Sequence, residues 1–228
     1  MSRVDTLRGM ATPSAARPRI IRGLDAEQRR AHRREQLLAA AFELIARDGY
    51  ANTSIEQICQ TAYVGNKAFY EVFDSKEDCY LALLTQIAER IETRVVEALR
   101  QSSGNNDEDV RRLLSVFAHE LVDDPRVAIV AFGECAGISP RVERERRANR
   151  RWTAAFIEQF WRREFDGAPM DSIPLQTLSV SAVGGLFESV ADWLHQRETG
   201  DGTPDVDDLV ANMAGFMAVL RAGIAAAG

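Results

Sequence analysis

Cysteine and histidine are scarce in this chain, which limits the chemistry available to it. The 228 residues include three cysteines, far apart and without a CxxC pair, so neither a disulfide framework nor a zinc site is predicted. The three histidines share no metal-ligand spacing. The HExxH, GxSxG, GxGxxG and Walker motifs of common enzyme classes are also missing. We therefore expect a protein that is not an enzyme and needs no cofactor.

Long apolar runs are missing as well. No run approaches the roughly 18 apolar residues that span a membrane. Arginines and prolines occupy the N-terminus, where a signal peptide would have an apolar core. These features predict a cytoplasmic protein with no membrane partner.

Charge is unevenly distributed along the chain. The net charge is −6, yet residues 1–34 contain nine arginines against three acidic residues. A basic end on an acidic chain is typical of a protein that touches an anionic partner at that end. A soluble tail without a partner is the alternative. Because residues 1–24 show no hydrophobic period, we expect them to form a flexible basic arm.

Apolar residues recur at helical spacing through the rest of the chain, and no strand alternation competes with them. Asp25 is expected to cap the first helix and Gly49 to end it in a left-handed conformation. Thr53 and Glu56 are expected to form a capping box for the second helix. The pattern predicts an all-α fold of about nine helices, at residues 26–47, 53–62, 65–72, 76–101, 108–122, 125–136, 140–165, 174–197 and 206–225.

Residues 53–73 have the pattern of a helix-turn-helix. The first short helix would pack on the core, a tight turn would follow, and Asn66 with Lys67 would lead an exposed second helix. Asn pairs with adenine edges, and Lys donates to O6 and N7 of guanine. Phe69 and Phe73, four residues apart, would face the core. Two short helices in any bundle give a similar pattern, so a plain helical bundle stays open at this point.

Residues 33–84 resemble the DNA-binding domain of the tetracycline-repressor (TetR/AcrR) family without a gap. The matching segments are AAFELI at 40–45, DGY at 48–50, TSIEQI at 53–58, the positions Ala62, Val64, Phe69, Tyr70 and Phe73, and SKE at 75–77. The resemblance implies a homeodomain-like, three-helix DNA-binding domain at residues 25–74. A helical domain for effector binding and dimerisation would follow at residues 75–228.

The resemblance also implies which residues contact DNA. Asn66 and Lys67 would lie in the major groove. The other DNA contacts that it predicts are Arg33, Thr53, Ser54, Tyr63, Gly65, Tyr70 and Lys76. Two positions depart from the family pattern, because Tyr63 stands where Gly is common and Gly65 where Ser is common. Tyr63 would then need a left-handed conformation that costs about 1 kcal/mol, and Gly65 would still serve as an N-cap.

A homodimer and a small-molecule effector of unknown identity are further implications of the resemblance. Apolar stripes on the last two helices predict the dimer interface, at Leu178, Ala182, Gly185, Leu186, Met213, Phe216, Met217 and Leu220. Aromatic residues at helical spacing are the candidates for an effector cavity: Phe117, Phe132, Trp152, Phe156 and Phe187. For both sets the alternative is that they form the core of the monomer.

Residues 141–151, RVERERRANRR, are unusually rich in arginine. They would form either a second nucleic-acid patch or a solvated helix face on which Glu and Arg pair at three- or four-residue spacing, and we favour the second.

The predicted function is sequence-specific, DNA-binding transcriptional regulation. We expect a homodimeric repressor that binds a palindromic operator in double-stranded DNA and is released by a ligand. The alternative is a helical small-molecule-binding or scaffold protein without specific DNA binding.

Overall fold

The computed structural model describes residues 25–101, 103–133, 137–165, 174–200 and 205–227. The described residues form α-helices and no strand, which confirms the all-α prediction. The predicted basic arm at residues 1–24 lies outside them, as does Cys135. The helices are α1 (Ala26–Asp48), α2 (Ile55–Thr61), α3 (Asn66–Tyr70), α4 (Lys76–Leu99), α5 (Asn106–Val122), α6 (Pro125–Ala128), α7 (Pro140–Glu164), α8 (Leu175–Thr199) and α9 (Val206–Ala227).

Helix α1 begins and ends where its sequence predicts. The Asp25 carboxylate accepts the backbone N–H of Gln28 at 2.7 Å, and the Gln28 side-chain oxygen accepts the N–H of Asp25 at 3.0 Å. Gly49 follows the helix with φ +82°, and its N–H donates to the carbonyl of Ile45 at 2.9 Å. A positive φ has little steric cost for glycine, so the chain can leave the helix sharply at this point.

The cap of α2 lies one residue later than predicted. Ser54 is the N-cap, since its hydroxyl accepts the N–H of Gln57 at 3.2 Å, and the Gln57 side chain accepts the N–H of Ser54 at 2.7 Å. The predicted box of Thr53 and Glu56 is therefore wrong. Thr53 is 1% exposed, and its hydroxyl donates to the carbonyl of Gly49 at 2.8 Å. This bond ties the start of α2 back to the end of α1.

The helix predicted at residues 125–136 changes its winding after one turn. Helix α6 runs only to Ala128, and a π-helical turn, Ile129–Gly133, follows it directly. The buried hydroxyl of Tyr80, on α4, donates to the carbonyl of Val130 in this turn at 2.7 Å. The π-helical turn is thus fixed to α4.

Helix α4 belongs to both halves of the protein. It packs on α1 at one side and on α5 and α7 at the other. The N-terminus of α7 also contacts the N-terminus of α4, because the Ser139 hydroxyl donates to the carboxylate of Glu77 at 2.8 Å and Arg141 pairs with Asp78. The boundary predicted at residues 74 and 75 therefore falls at the start of a shared helix, and it stays a prediction.

An ion-pair cluster joins three helices of the C-terminal half. Arg221 of α9 lies between Glu164 at the end of α7 and Asp107 at the start of α5. The Nε of Arg221 is 3.0 Å from both carboxylate oxygens of Glu164, whose side chain is 8% exposed. The hydrogen bond to Glu164, followed by that to Asp107, raises the pKa of the Arg221 guanidinium. Helix α9 is thereby held against α5 and α7 by a polar link in which the Arg221 and Glu164 side chains are largely buried.

Helix α9 is apolar around most of its circumference. By length and composition it is the one described helix that is sufficient to cross a membrane, although 28% of its apolar window is buried inside the structure. This finding does not conflict with the predicted absence of a membrane partner. Core helices of soluble proteins show the same composition, since a helix apolar all round is covered by other protein or by lipid.

Removing the cation from the buried cluster should destabilise the fold. Arg221→Met should lower the free energy of unfolding by about 3 kcal/mol, because it leaves the buried Glu164 carboxylate without its cation. Adding Glu164→Leu should recover most of that loss, measured by urea denaturation followed by circular dichroism. Arg147→Met, at a guanidinium that is 65% exposed, is the control and should cost less than about 1 kcal/mol. Equal losses in the single and double variants would contradict a role for the ion pair.

Candidate nucleic-acid interface and effector cavity

Residues 55–70 form a helix-turn-helix. Helix α2 packs on α1 and on α3. The turn between α2 and α3 is closed by the N–H of Val64, which donates to the carbonyl of Cys59 at 3.0 Å. Ala62 is buried beneath the turn, and Gly65 is the N-cap of α3 with φ −80°, as expected. The second helix is therefore held at a fixed angle to the first.

Helix α3 has one buried side and one exposed side. Phe69 is fully buried, and its ring centroid lies 5.7 Å from that of Phe73, which confirms that both face the core. Asn66 and Lys67 are exposed at the start of the helix, and Tyr70 is 58% exposed. This side offers an amide, an ammonium and a phenol hydroxyl, which are the donors that contact base edges and phosphates.

Among the described residues other than glycine, only Tyr63 has a positive φ, at +55°. This is the left-handed conformation that we expected at its position in the turn. The side chain is 95% exposed. A left-handed backbone costs about 1 kcal/mol for a residue with a Cβ. Because the Tyr63 ring is exposed, it makes no packing contact within the protein that would offset this cost. A contact with a partner molecule would account for a tyrosine at this position, and a phosphate accepts a hydrogen bond from such a hydroxyl.

Lys76 does not have the role that the family resemblance implied. Its Nζ donates to the carbonyls of Tyr50 at 2.9 Å and Thr53 at 2.7 Å, and it lies 4.2 Å from the centroid of the Tyr50 ring. Burial lowers the pKa of this ammonium. We correct the predicted phosphate contact, because the charge faces inward and fixes the loop between α1 and α2.

Two other predicted DNA contacts are also engaged within the protein. Thr53 is buried, so its predicted contact with phosphate is corrected too. Arg33 of α1 pairs with Glu71, directly after α3, at 2.6 Å, so its guanidinium braces α3 instead of standing free. Ser54 is exposed, and its hydroxyl proton remains available, because the hydroxyl oxygen accepts the bond that caps α2. The exposed candidates are thus Ser54, Tyr63, Gly65, Asn66, Lys67 and Tyr70.

A cavity of about 420 Å³ lies in the C-terminal half. Helices α4, α5, α7 and α8 and the π-helical turn surround it. The five aromatic residues predicted for an effector site all line it: Phe117, Phe132, Trp152, Phe156 and Phe187. Phe187 makes edge contacts with Phe117 at 5.7 Å and Phe132 at 4.8 Å between ring centroids. Their role in ligand binding stays a prediction, but the structure brings them to one place.

The polar residues of this cavity lie mainly on α7. Arg146, Asn149 and Arg150 are in its wall, together with Glu92 of α4. The guanidinium carbon of Arg150 lies 4.9 Å from the centroid of the Phe187 ring. Sequence reasoning missed Arg150, because the arginine-rich segment 141–151 has no feature that separates cavity residues from solvated ones. The cavity therefore has apolar walls and one cationic side.

Arg146 of the cavity wall and its neighbour Arg147 pair within the protein, as favoured from the sequence. The carboxylate of Glu143 accepts hydrogen bonds from Arg146 at 2.7 Å and Arg147 at 2.6 Å. These bonds lower the pKa of Glu143 to about 2. The pairing at three- and four-residue spacing makes this part of α7 a charged helix face.

The dimer residues predicted from the sequence divide into two groups. Four of them are buried inside the monomer, which corrects their assignment to an interface: Ala182, Leu186, Met213 and Met217. The other four keep partial or full exposure: Leu178, Gly185, Phe216 and Leu220. Phe216 packs closely over Gly185, since a Cβ added to this glycine would lie 3.0 Å from the ring.

Exposed residues that sequence reasoning missed complete an apolar stripe. Val180 of α8 is 51% exposed and Val219 of α9 is 71% exposed. On α9 the small residues Gly215, Ala222 and Gly223 are exposed at helical spacing from Val219. We call this set of exposed residues on the two helices, Val180, Gly215, Val219, Ala222 and Gly223, the α8–α9 stripe. A signal was present in the sequence, because α9 is apolar on the side opposite its core residues as well.

The helix-turn-helix matches a known family by sequence. Residues 37–83 match the model for bacterial regulatory proteins of the tetR family. The chain carries the DNA-binding domain of the TetR family. A stretch of 113 residues is 29% identical to the HTH-type transcriptional activator FasR of Mycolicibacterium smegmatis, covering 43% of this chain and 52% of FasR. The chain thus spans about half the length of that relative.

Solved structures match over most of the chain. A TetR-family regulator from Syntrophomonas wolfei superposes with a TM-score of 0.71 at 18% identity, over 84% of this chain and 96% of that one. The regulator FadR of Bacillus subtilis, solved with stearoyl-CoA, superposes with a TM-score of 0.67 at 20% identity, over 79% of this chain and 95% of FadR. At these identities the similarity shows that the TetR-family fold extends through the C-terminal helices.

Substitution of Lys76 and of Lys67 distinguishes a lysine that stabilises the fold from one that faces DNA. Lys76→Met should lower the free energy of unfolding by about 2 kcal/mol, because two carbonyls lose a charged donor. Lys67→Met should change it by less than about 0.5 kcal/mol, because Lys67 is an exposed surface residue. Thermal denaturation of both variants measures the difference. A Lys76→Met protein of unchanged stability but weakened DNA binding would restore the phosphate contact that we have corrected.

Proposed function

We propose that this protein is a homodimeric, cytoplasmic transcriptional regulator that binds an operator in double-stranded DNA and is released by an effector in the C-terminal cavity. The observation that carries this proposal is the exposed side of α3. Asn66, Lys67 and Tyr70 stand there beside Tyr63, on a helix whose other side is fixed by Phe69. In a helix-turn-helix these first residues of the second helix are the ones that enter the major groove.

Position and side-chain chemistry support different roles for the exposed residues. Asn66 and Lys67, at the N-terminal end of α3, are placed to contact base edges. Ser54, Tyr63 and Tyr70 lie around them and offer hydroxyl groups for phosphates. We therefore expect substitutions at the first pair to change base preference. Substitutions at the hydroxyl residues should weaken binding to every sequence.

Dimerisation is supported by the α8–α9 stripe. A single short helix contacts few base pairs, and two-fold dimers solve this by presenting two such helices to half-sites about one DNA turn apart. Val180 and Val219 are large apolar residues on the surface, and the small exposed residues Gly215, Ala222 and Gly223 of α9 allow a second helix to approach closely. Packing the stripe against its symmetry mate would cover the exposed side of α9.

A charge on the α8–α9 stripe should separate the two protomers. Val219→Glu should convert the dimer to a monomer, measured by sedimentation equilibrium, because the symmetric interface would then bury two carboxylates. The same variant should bind operator DNA at least about tenfold more weakly. Ala155→Glu, at an exposed position of α7, is the matched control and should change neither property. A Val219→Glu protein that remains a dimer would place the interface elsewhere.

The effector that we propose has a long apolar body and an anionic head, as an acyl thioester or fatty acid does. The cavity is lined mainly by aliphatic and aromatic side chains, and Arg150 is the cation of its α7 side that is not in the pair of Arg146 with Glu143. Glu92, the one acidic lining residue, lies on α4. Among proteins of the same fold, FadR of Bacillus subtilis was solved with stearoyl-CoA, and FadR of Bacillus halodurans is a fatty acid degradation regulator. The composition of this cavity suits the same class of ligand.

Release of DNA would follow from links between the cavity and α4. Ala131 and Phe132 of the π-helical turn line the cavity, and the neighbouring Val130 accepts the hydrogen bond of Tyr80 on α4. On α7, the cavity residues lie beyond Arg141, which pairs with Asp78 at the start of α4. A ligand that favours a different position of α7 would move α4 and the attached helix-turn-helix. It shifts the equilibrium only by its difference in affinity for the two states.

Electrophoretic retardation of the DNA upstream of the gene, measured against salt concentration, tests the function. A specific dimer should bind one palindromic fragment far more tightly than random DNA, with a steep salt slope. Lys67→Ala should relax base preference at one position in each half-site, and acyl-CoA should release the DNA. Equal affinity for all fragments would favour the alternative of a helical ligand-binding protein. A reporter gene behind the bound fragment gives the sign of regulation, which we propose to be repression.

A further inference from the structure

A second, smaller cavity of about 90 Å³ adjoins the first one. Five residues line both, so they form the partition between them: Val95, Phe117, Thr153, Phe156 and Phe187. The partition residues are half-buried side chains rather than backbone. The rotation of aromatic rings is enough to change the width of such a passage.

The second cavity is apolar on every side but one. Its other walls come from α5, α7, α8 and α9, through Val110, Leu113, Leu114, Ile157, Phe160, Val183, Leu186 and Met217. Thr153 is the one polar residue among its lining residues. The cationic residues of the first cavity, Arg146 and Arg150, are not in its wall. An apolar space of this kind favours hydrocarbon and excludes a charged group.

The two cavities therefore define a direction for an elongated ligand. A charged head is stabilised only on the α7 side of the first cavity, near Arg150. The apolar end of the ligand then points through the partition toward Val183, Leu186 and Met217. These three side chains are buried, and the last two belong to the helices that carry the α8–α9 stripe.

We propose that the second cavity is a subsite for the terminal part of a long, unbranched acyl chain and makes the protein selective for chain length. This inference rests on the proposed acyl effector. A short chain would fill the first cavity only, whereas a long chain would also enter the second and contact Leu186 and Met217. Each methylene transferred from water into an apolar site should tighten binding about fourfold, so the gain continues only as long as space remains.

The subsite also connects chain length to the dimer. Leu186 lies one residue after Gly185, and Met217 one residue after Phe216, and the Phe216 ring lies against Gly185 at the exposed surface. An acyl chain in the second cavity thus contacts the inner side of the two helices whose outer side forms the stripe. Long chains would alter the packing of α8 on α9, and short chains would leave it unchanged.

Titration of the full-length dimer with octanoyl-, dodecanoyl- and hexadecanoyl-CoA, followed by isothermal calorimetry, tests the subsite. Two variants change its volume in opposite directions: Val183→Phe fills it and Met217→Ala enlarges it. Circular dichroism establishes that each variant is folded. Ala155→Phe, at an exposed position outside both cavities, is the control.

In the unsubstituted protein, Kd should fall steadily from octanoyl- to hexadecanoyl-CoA. Val183→Phe should raise the Kd of hexadecanoyl-CoA by at least about tenfold and change the Kd of octanoyl-CoA by less than about twofold, because only the long chain loses its subsite. Met217→Ala should lower the Kd of hexadecanoyl-CoA relative to that of octanoyl-CoA. If Val183→Phe fails to fold, this ratio of the two Kd values tests the subsite. Equal effects on short and long chains would overturn the subsite alone. Absence of binding by all three thioesters would overturn the acyl effector itself, and the subsite with it, and leave the DNA-binding proposal untouched.

Discussion

Burial of Phe69 is the interaction on which the candidate DNA surface depends. Helix α3 has 5 residues, and an isolated helix shorter than about 12 residues is marginal in water. Its position is therefore imposed by packing, through the ring of Phe69 in the core and its contact with Phe73. Arg33 adds an ion pair to Glu71 beside it. Because the buried side is held in this way, the exposed side can carry Asn66, Lys67 and Tyr70 without any cost to folding.

The core that buries Phe69 also connects the exposed side of α3 to the cavity. Helix α4 packs on α1, on which α2 also packs, and continues along the cavity wall, so it links the helix-turn-helix to the cavity through α1. Lys76 at its start holds the loop before α2, and Tyr80 one turn later holds the π-helical turn. Cys79 lies between them in the core, where burial raises the pKa of its thiol to about 12 and makes it an unreactive packing residue. A displacement of α4 would therefore be transmitted to α2 and α3 as a unit.

Local chemistry explains which features the sequence could predict. The helix start at Asp25 follows from short-range hydrogen bonds, and the left-handed conformation of Tyr63 follows from the family pattern, in which Gly is common at that position. The roles of Lys76 and Thr53 depend on carbonyls brought near by the fold, so no local pattern could distinguish them from phosphate contacts. The prediction of the dimer interface was wrong at four residues for a related reason. Both sides of α9 are apolar, and only tertiary packing decides that Met213 faces inward and Val219 outward.

The central claim is that a pair of α3 helices contacts one face of a DNA duplex. DNase footprinting of the full-length protein on the DNA beside its own gene tests this most directly. Our account predicts two protected half-sites whose centres are about 34–36 Å apart along the helix axis. Methylation of guanine N7 in the protected major groove should block binding. A folded dimer that protects no segment, or protects one without any major-groove contact, would contradict the account.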